Sequence, residues 1–245
     1  MIDPRVWEGR IYVGDCLEFL RSLPDGCVDL VLTDPPYQAH FERDSGGAFG
    51  SRGYFGSVNE GVGSSSTFEI TPVLPEIWRV AGKPFCGYFW TSAKLLPDYL
   101  GFAADHTLHF DVLSWHKTNP LPTKNNKYLP DTEHCVFLRQ AGAYFSNDED
   151  YRCYRKWFLV PVNKSEYGHP TEKPACVIEP SIRISCPPGG IVLDPFLGSG
   201  TTAVVCERLG RRWIGCEINE TYAAMAEKRI ERERDRLQLP MGATP

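Results

Sequence analysis

Residues 191–202, IVLDPFLGSGTT, run from an apolar stretch through an acid and a proline into a glycine-bearing loop. Ile191, Val192 and Leu193 read as a short strand covered on both faces. Asp194 ends it. In Gly198-Ser199-Gly200 the missing side chains let a ligand come close to the backbone. TAVVCERL follows as a helix, whose first turn offers free N–H groups and the positive end of its dipole. A lone GxG is weak; a strand before it and a helix after it supply the nucleotide-binding context. Asp194, Phe196, Gly198, Ser199, Gly200, Thr201 and Thr202 are therefore candidate cofactor-binding residues.

The next strand, RRWIGCE (211–217), ends in Glu217. An acid about twenty residues after the glycines, closing the second strand, is placed to accept hydrogen bonds from ribose hydroxyls. A helix N-terminal charge is the plainer reading of Glu217 alone. The loop is not GxGxxG, and no GK[ST] follows it, so a ribose-bearing ligand without phosphates fits better than NAD. S-adenosylmethionine is such a ligand.

Upstream, residues 28–37 read VDLVLTDPPY. Another apolar strand stops at an acid. Proline cannot donate to a ladder, so Pro35 and Pro36 end the strand. They also stiffen the chain that carries Asp34 and Tyr37. In an open α/β sheet, sites form beyond the carboxyl ends of strands. A mere strand stop is the competing reading.

Working outward, RIYV (10–13) reads as a strand, followed by Gly14-Asp15 and a helix through CLEFLRSL. Helices are expected at PVLPEIWRV (72–80), AKLLPDYLGFAA (93–104), 175–185 and 219–236. Strands are expected at FCGYFW (85–90), FDVLSWH (110–116) and HCVFLR (134–139). Strands that alternate with helices predict one α/β domain over residues 1–245, Rossmann-like, with a mostly parallel sheet and helices on both faces. Residues 42–66 are rich in Gly and Ser and predict a flexible loop that orders on substrate. KTNPLPTKNNKYLP (117–130) and YRCYRKWF (151–158) are basic and predict contacts to phosphates through Lys117, Asn119, Lys124, Lys127, Arg152, Arg155 and Lys156. Each of these is also readable as an ordinary surface charge.

The 245 residues suit a single well-buried domain. No membrane-spanning stretch or secretory leader is visible. Nine scattered cysteines without a CxxC pair read as reduced, mostly buried thiols in a cytoplasmic protein, with no metal site. A net charge of −5 leaves room for a local basic face.

Taken together, IYVGDCLEFL, VDLVLTDPPY, HPTEKP (169–174), VLDPFLGSGTT and RRWIGCEINETY resemble the DNA amino-methyltransferases that modify exocyclic N6 of adenine or N4 of cytosine. The resemblance spans nearly the whole chain. The target-base motif precedes the cofactor loop, as in the permuted β group of that family. The resemblance implies S-adenosyl-L-methionine as cofactor and double-stranded DNA with a flipped target base as substrate. It implies that Asp34 and the Pro35 carbonyl accept the two N–H bonds of the target amine, that Pro36 holds them, and that Tyr37 stacks on the base. It also implies that Asp34 meets the cofactor's amino group, Asp15 its adenine end, and Thr171 and Lys173 its methionine end. Residues 144–167 fall where target recognition is carried; their shortness implies a short site or help from a second subunit. A bacterial, archaeal or phage origin, a homodimer and a companion restriction nuclease accord with the resemblance. Asp-Pro-Pro-Tyr favours adenine-N6 by family association. Cytosine-N4 methylation, RNA methylation and DNA binding without turnover stay open.

Overall fold

The computed structural model describes residues 3–36, 68–120, 128–162 and 172–238. Eight strands form one sheet: β1 Ile11–Val13, β2 Leu30–Thr33, β3 Cys86–Thr91, β4 His109–His116, β5 Thr132–Arg139, β6 Trp157–Leu159, β7 Ile191–Asp194 and β8 Arg212–Glu217. Their order is β1-β8-β7-β2-β3-β5-β4-β6. All neighbours are parallel except β5, which runs antiparallel to both β3 and β4. β4 and β5 pair antiparallel along their whole length, and among the described residues no helix lies between them.

The helices are α1 Cys16–Ser22, α2 Leu74–Val80, α3 Leu96–Asp105, α4 Ala175–Ser185, α5 Thr201–Leu209 and α6 Glu220–Gln238. β2 leads through α2 to β3 on one side, and β7 leads through α5 to β8 on the other. Strand order therefore reverses between β7 and β2, and the crevice there is where such sheets take ligands.

Both faces of the sheet are covered, which explains why the central strands β2, β3 and β7 are buried throughout. Phe19, Ile77, Tyr99 and Phe102 from α1–α3 pack on one face. Val177, Ile182, Val205 and Ala226 from α4–α6 pack on the other. Local chemistry sets the helix ends. Asp15 caps α1, its Oδ1 accepting from the Leu17 and Glu18 N–H groups at 2.9 and 3.0 Å. Gly200 starts α5 at φ 83°, a conformation that side chains resist.

No helix among the described residues is long and apolar enough to cross a membrane. All nine cysteines are free; Cys176 is exposed and Cys16, Cys27 and Cys153 are only partly covered, so burial of the thiols is less general than the sequence predicts. The Gly/Ser-rich stretch 42–66 lies outside the described residues.

Candidate active site

The carboxyl ends of β1, β2, β3, β7 and β8 face one cavity of about 800 Å3. Of the cofactor candidates, Asp15, Asp34, Lys173 and Glu217 line it, as does every candidate from Asp194 to Thr202 except Gly200. A Cβ at Gly200 would lie 2.8 Å from the Ala226 Cβ, so this glycine serves the close approach of α5 to α6. Gly198, at φ 55°, faces the cavity. Thr171 and Tyr37 lie outside the described residues.

Two strand-end acids lie side by side because β2 and β7 are parallel neighbours. The buried Thr33 hydroxyl donates to Asp194 Oδ1 at 2.7 Å, and the Phe196 N–H to the same oxygen at 3.1 Å. Burial pushes the Asp194 carboxyl up to about 6, against the pull of bonds from Thr33, Thr202 and Phe196.

Glu217 braces two loops at once. Its Oε2 accepts from the Gly198 N–H and its Oε1 from the Asn219 N–H, both at 2.8 Å. Burial raises its carboxyl, and these backbone donors oppose the rise. The Gly loop is also held from α6. Arg229 donates to the carbonyl and hydroxyl oxygens of Ser199 at 2.6 and 2.7 Å and pairs with Glu172 at 2.7 Å.

Asp34 stands just past β2, followed by a buried Pro35 and by Pro36 on the cavity wall. Its Oδ2 accepts from Lys173 Nζ at 2.5 Å. Its Oδ1 is shielded from solvent and has no hydrogen-bond partner among the described residues. Lys173 also meets Glu133 Oε2 at 2.8 Å and lies over the Trp90 ring at 5.4 Å. Glu133 in turn meets Lys117 at 2.6 Å. Burial raises the Asp34 carboxyl while Lys173 pulls it down. Burial raises Glu133 too, but two ammonium groups outweigh that and hold it at about 2.

Sequence reasoning missed Glu133, Trp90, Glu172 and Arg229. An acid immediately before the expected strand HCVFLR was the available signal for Glu133.

Each of the basic-segment candidates among the described residues is engaged with a neighbouring group. Lys117 is turned inward against Glu133 and Trp115, so it is not the surface cation that the loop's composition predicts. The Asn119 side chain donates to the Val162 carbonyl and accepts from the Val162 N–H, at 3.1 and 2.6 Å, clasping two segments. Arg152 pairs with Asp150, and Lys156 with Asp111. The Ser146 N–H bonds the Ile184 carbonyl at the far end of α4. That helix of 11 residues starts just after Lys173, so Ile184 lies about 14 Å along it from its first residue. Arg155 lies over the Tyr151 and Trp157 rings at 5.5 and 5.4 Å. Lys124 and Lys127 lie outside the described residues. So do residues 163–167 at the end of the 144–167 segment.

A family model described as DNA methylase, for N6/N4 methyltransferases, matches residues 28–228. The type II methyltransferase M2.DpnII of Streptococcus pneumoniae is 32% identical over 249 residues, covering 90% of this chain and 89% of that relative. The type II methyltransferase M.HinfI of Haemophilus influenzae is 29% identical over 247 residues, covering 90% and 67%. Among solved structures, M1.HpyAVI in complex with SAM is similar with a TM-score of 0.66 at 23% identity, covering 90% of this chain and 98% of that one. The cytosine-N4-specific PvuII DNA methyltransferase is similar with a TM-score of 0.68 at 18% identity, covering 97% and 88%. At these identities the two structures share the fold; function rests on the site.

Proposed function

The chain belongs to the DNA methylase family of N6/N4 methyltransferases, and from that premise we propose that it methylates the exocyclic N6 of adenine in double-stranded DNA, with S-adenosylmethionine as cofactor. The observation that carries this reading is Asp34 Oδ1, a shielded acceptor with no hydrogen-bond partner among the described residues. It belongs to a carboxylate that lines a cavity of a size suited to a nucleoside ligand.

The residues present fit the cofactor. Glu217 and Asp15 offer carboxylates to ribose and adenine, Phe196 offers an apolar wall, and the Gly198–Thr202 loop offers close approach. Phe68 meets Phe196 edge to face at 5.2 Å and extends that wall. Bound there, S-adenosylmethionine supplies an electrophilic methyl group.

The rest of the chemistry falls to this chain. The target amine is a poor nucleophile because its lone pair is delocalised into the ring. Asp34 Oδ1 and the Pro35 carbonyl accept its two N–H bonds and help to localise that pair on nitrogen. Asp34 stabilises the positive charge that develops as the N–C bond forms, and takes the proton the nitrogen then sheds. Orientation and electrostatics supply most of the rate. Tyr37 stacks on the base after it leaves the helix, a step that costs a few kcal/mol. Lys124 and Lys127 contact phosphates, together with Arg155 on its aromatic rings.

Incubating the protein with tritiated cofactor and duplex DNA, then digesting to nucleosides, tests the reading. Label on N6-methyladenine supports it. Label on N4-methylcytosine reassigns the base, because cytosine presents the same pair of N–H bonds. Label that enters RNA but not DNA, or neither, overturns it.

A further inference from the structure

Four charged side chains alternate in sign along the carboxyl edge of the sheet: Asp34, Lys173, Glu133 and Lys117. Their successive separations are 2.5, 2.8 and 2.6 Å. Lys173 is 5% exposed, and Glu133 and Lys117 are 15% and 16% exposed. A buried ammonium needs acceptors that repay its desolvation. Lys173 has one on each side, Asp34 from β2 and Glu133 from β5, with the Trp90 face alongside.

We propose that Glu133 is a positioning residue for Asp34, acting through Lys173. Glu133 holds the ammonium from the far side, so Lys173 reaches only Oδ2 of Asp34 and leaves Oδ1 to the target amine. Lys117 fixes Glu133 in turn. Among the described residues it also meets the Trp115 ring, and its own N–H donates to the Asp131 carbonyl at 2.6 Å. Without Glu133 the ammonium loses the acceptor that draws it toward β5, and its placement on Oδ2 alone is no longer braced from that side. The strand that bears Glu133 is the antiparallel one, so the pairing of β5 with β3 and β4 brings this acid to the same edge as the parallel strand ends.

The inference rests on the proposed methyl transfer, and its test separates the two. Glu133→Gln keeps the size and removes the charge. Its kcat should fall about 10- to 100-fold, as small misplacements of a reacting group do, with KM for DNA and cofactor within about threefold. The pH profile gives a sign that damage to packing would not. Among the described residues, the charged and titratable groups facing Asp34 are Lys173, Glu133 and Lys117, with Asp194 on β7, Tyr99 on α3 and Cys135 on β5. Removing the negative charge of Glu133 makes Asp34 easier to ionise, so the acid limb of kcat moves to lower pH. Lys117→Met removes a positive charge, so the limb moves to higher pH. The Asp34 carboxyl carbon, assigned by its loss in Asp34→Asn and titrated by NMR, should shift in the same two opposite directions whether or not the protein turns over.

Wild-type rates and unmoved limbs in both variants, in a protein that methylates DNA, overturn the inference and leave the function standing. Absence of methyl transfer in the wild type overturns the function; an unmoved carboxyl titration in both variants then overturns the inference as well. Should Glu133→Gln fail to fold, Lys117→Met alone decides by the direction of its shift.

Discussion

Thr33 donates its hydroxyl hydrogen to Asp194 Oδ1 at 2.7 Å, tying together the ends of two neighbouring parallel strands at the cavity. Burial has raised this carboxyl from the usual 3.8 to about 6, so the folded protein holds the proton more tightly than the unfolded chain does. The stability this proton gives is fully present below pH 3.8 and is lost as pH rises through about 6. Asp194→Asn has no such proton and keeps an acceptor for Thr33. Relative to wild type, its stability should therefore improve by up to about 3 kcal/mol between pH 4 and pH 7. Urea unfolding of both proteins across that range measures the difference. A difference that stays constant with pH would detach Asp194 from the pH dependence.

Glu217 has one oxygen on each of two backbone N–H groups, Gly198 and Asn219. An amide has only one acceptor oxygen, so Glu217→Gln must leave one of these donors without its partner. We expect a loss of about 1–3 kcal/mol in the ligand-free protein. Glu217→Ala should also weaken S-adenosylmethionine binding at least tenfold, since the charge-assisted bonds proposed to ribose would be lost. Calorimetric titration gives the affinity and thermal melting gives the stability. An altered melt with unchanged affinity would confine Glu217 to bracing the loops.

Gly200→Ala should damage the fold more than the ligand site. Its φ of 83° resists a side chain, and the new Cβ would sit 2.8 Å from that of Ala226. Positive φ and overpacking together cost about 2–4 kcal/mol. The melting temperature should fall by roughly 5–15 °C. A melt within a degree of wild type would show that α6 moves aside freely.

What the sequence revealed and what it hid divide along the range of the interactions. Asp34 and Asp194 were legible because each ends an apolar run, and strand ends are where such sheets place sites. Asp15 was named only through the resemblance, as a contact to the cofactor's adenine end; its role as the cap of α1 emerged from the fold. The direction of β5 was not, since a strand's residues carry no sign of which neighbour it joins. Lys117 read as a surface cation because the acid that takes it inward, Glu133, lies on the neighbouring strand β5. Lys173 pairs with Asp34 over 139 positions, a contact that only the folded sheet creates. Gly200 read as part of the ligand loop because nothing local announces Ala226.

Asp34→Ala tests the proposed chemistry most directly. The mutation removes the shielded Oδ1 and one partner of Lys173, which keeps Glu133 as counter-ion. The fold should therefore survive while methyl transfer falls by two or three orders of magnitude, about 3–4 kcal/mol of barrier by analogy with deleted oxyanion donors. Tyr37→Ala should also be severely impaired. Tyr37→Phe should retain substantial activity, because stacking on a base needs the ring and not the hydroxyl. If Asp34 served only to stop a strand, Asp34→Ala would stay active and any loss would track thermal stability. Tritiated methyl transfer to DNA, measured beside melting temperature for the three variants, separates these outcomes. An active, normally melting Asp34→Ala would sink the mechanism, because no other described residue offers a shielded carboxylate oxygen without a hydrogen bond on that cavity wall.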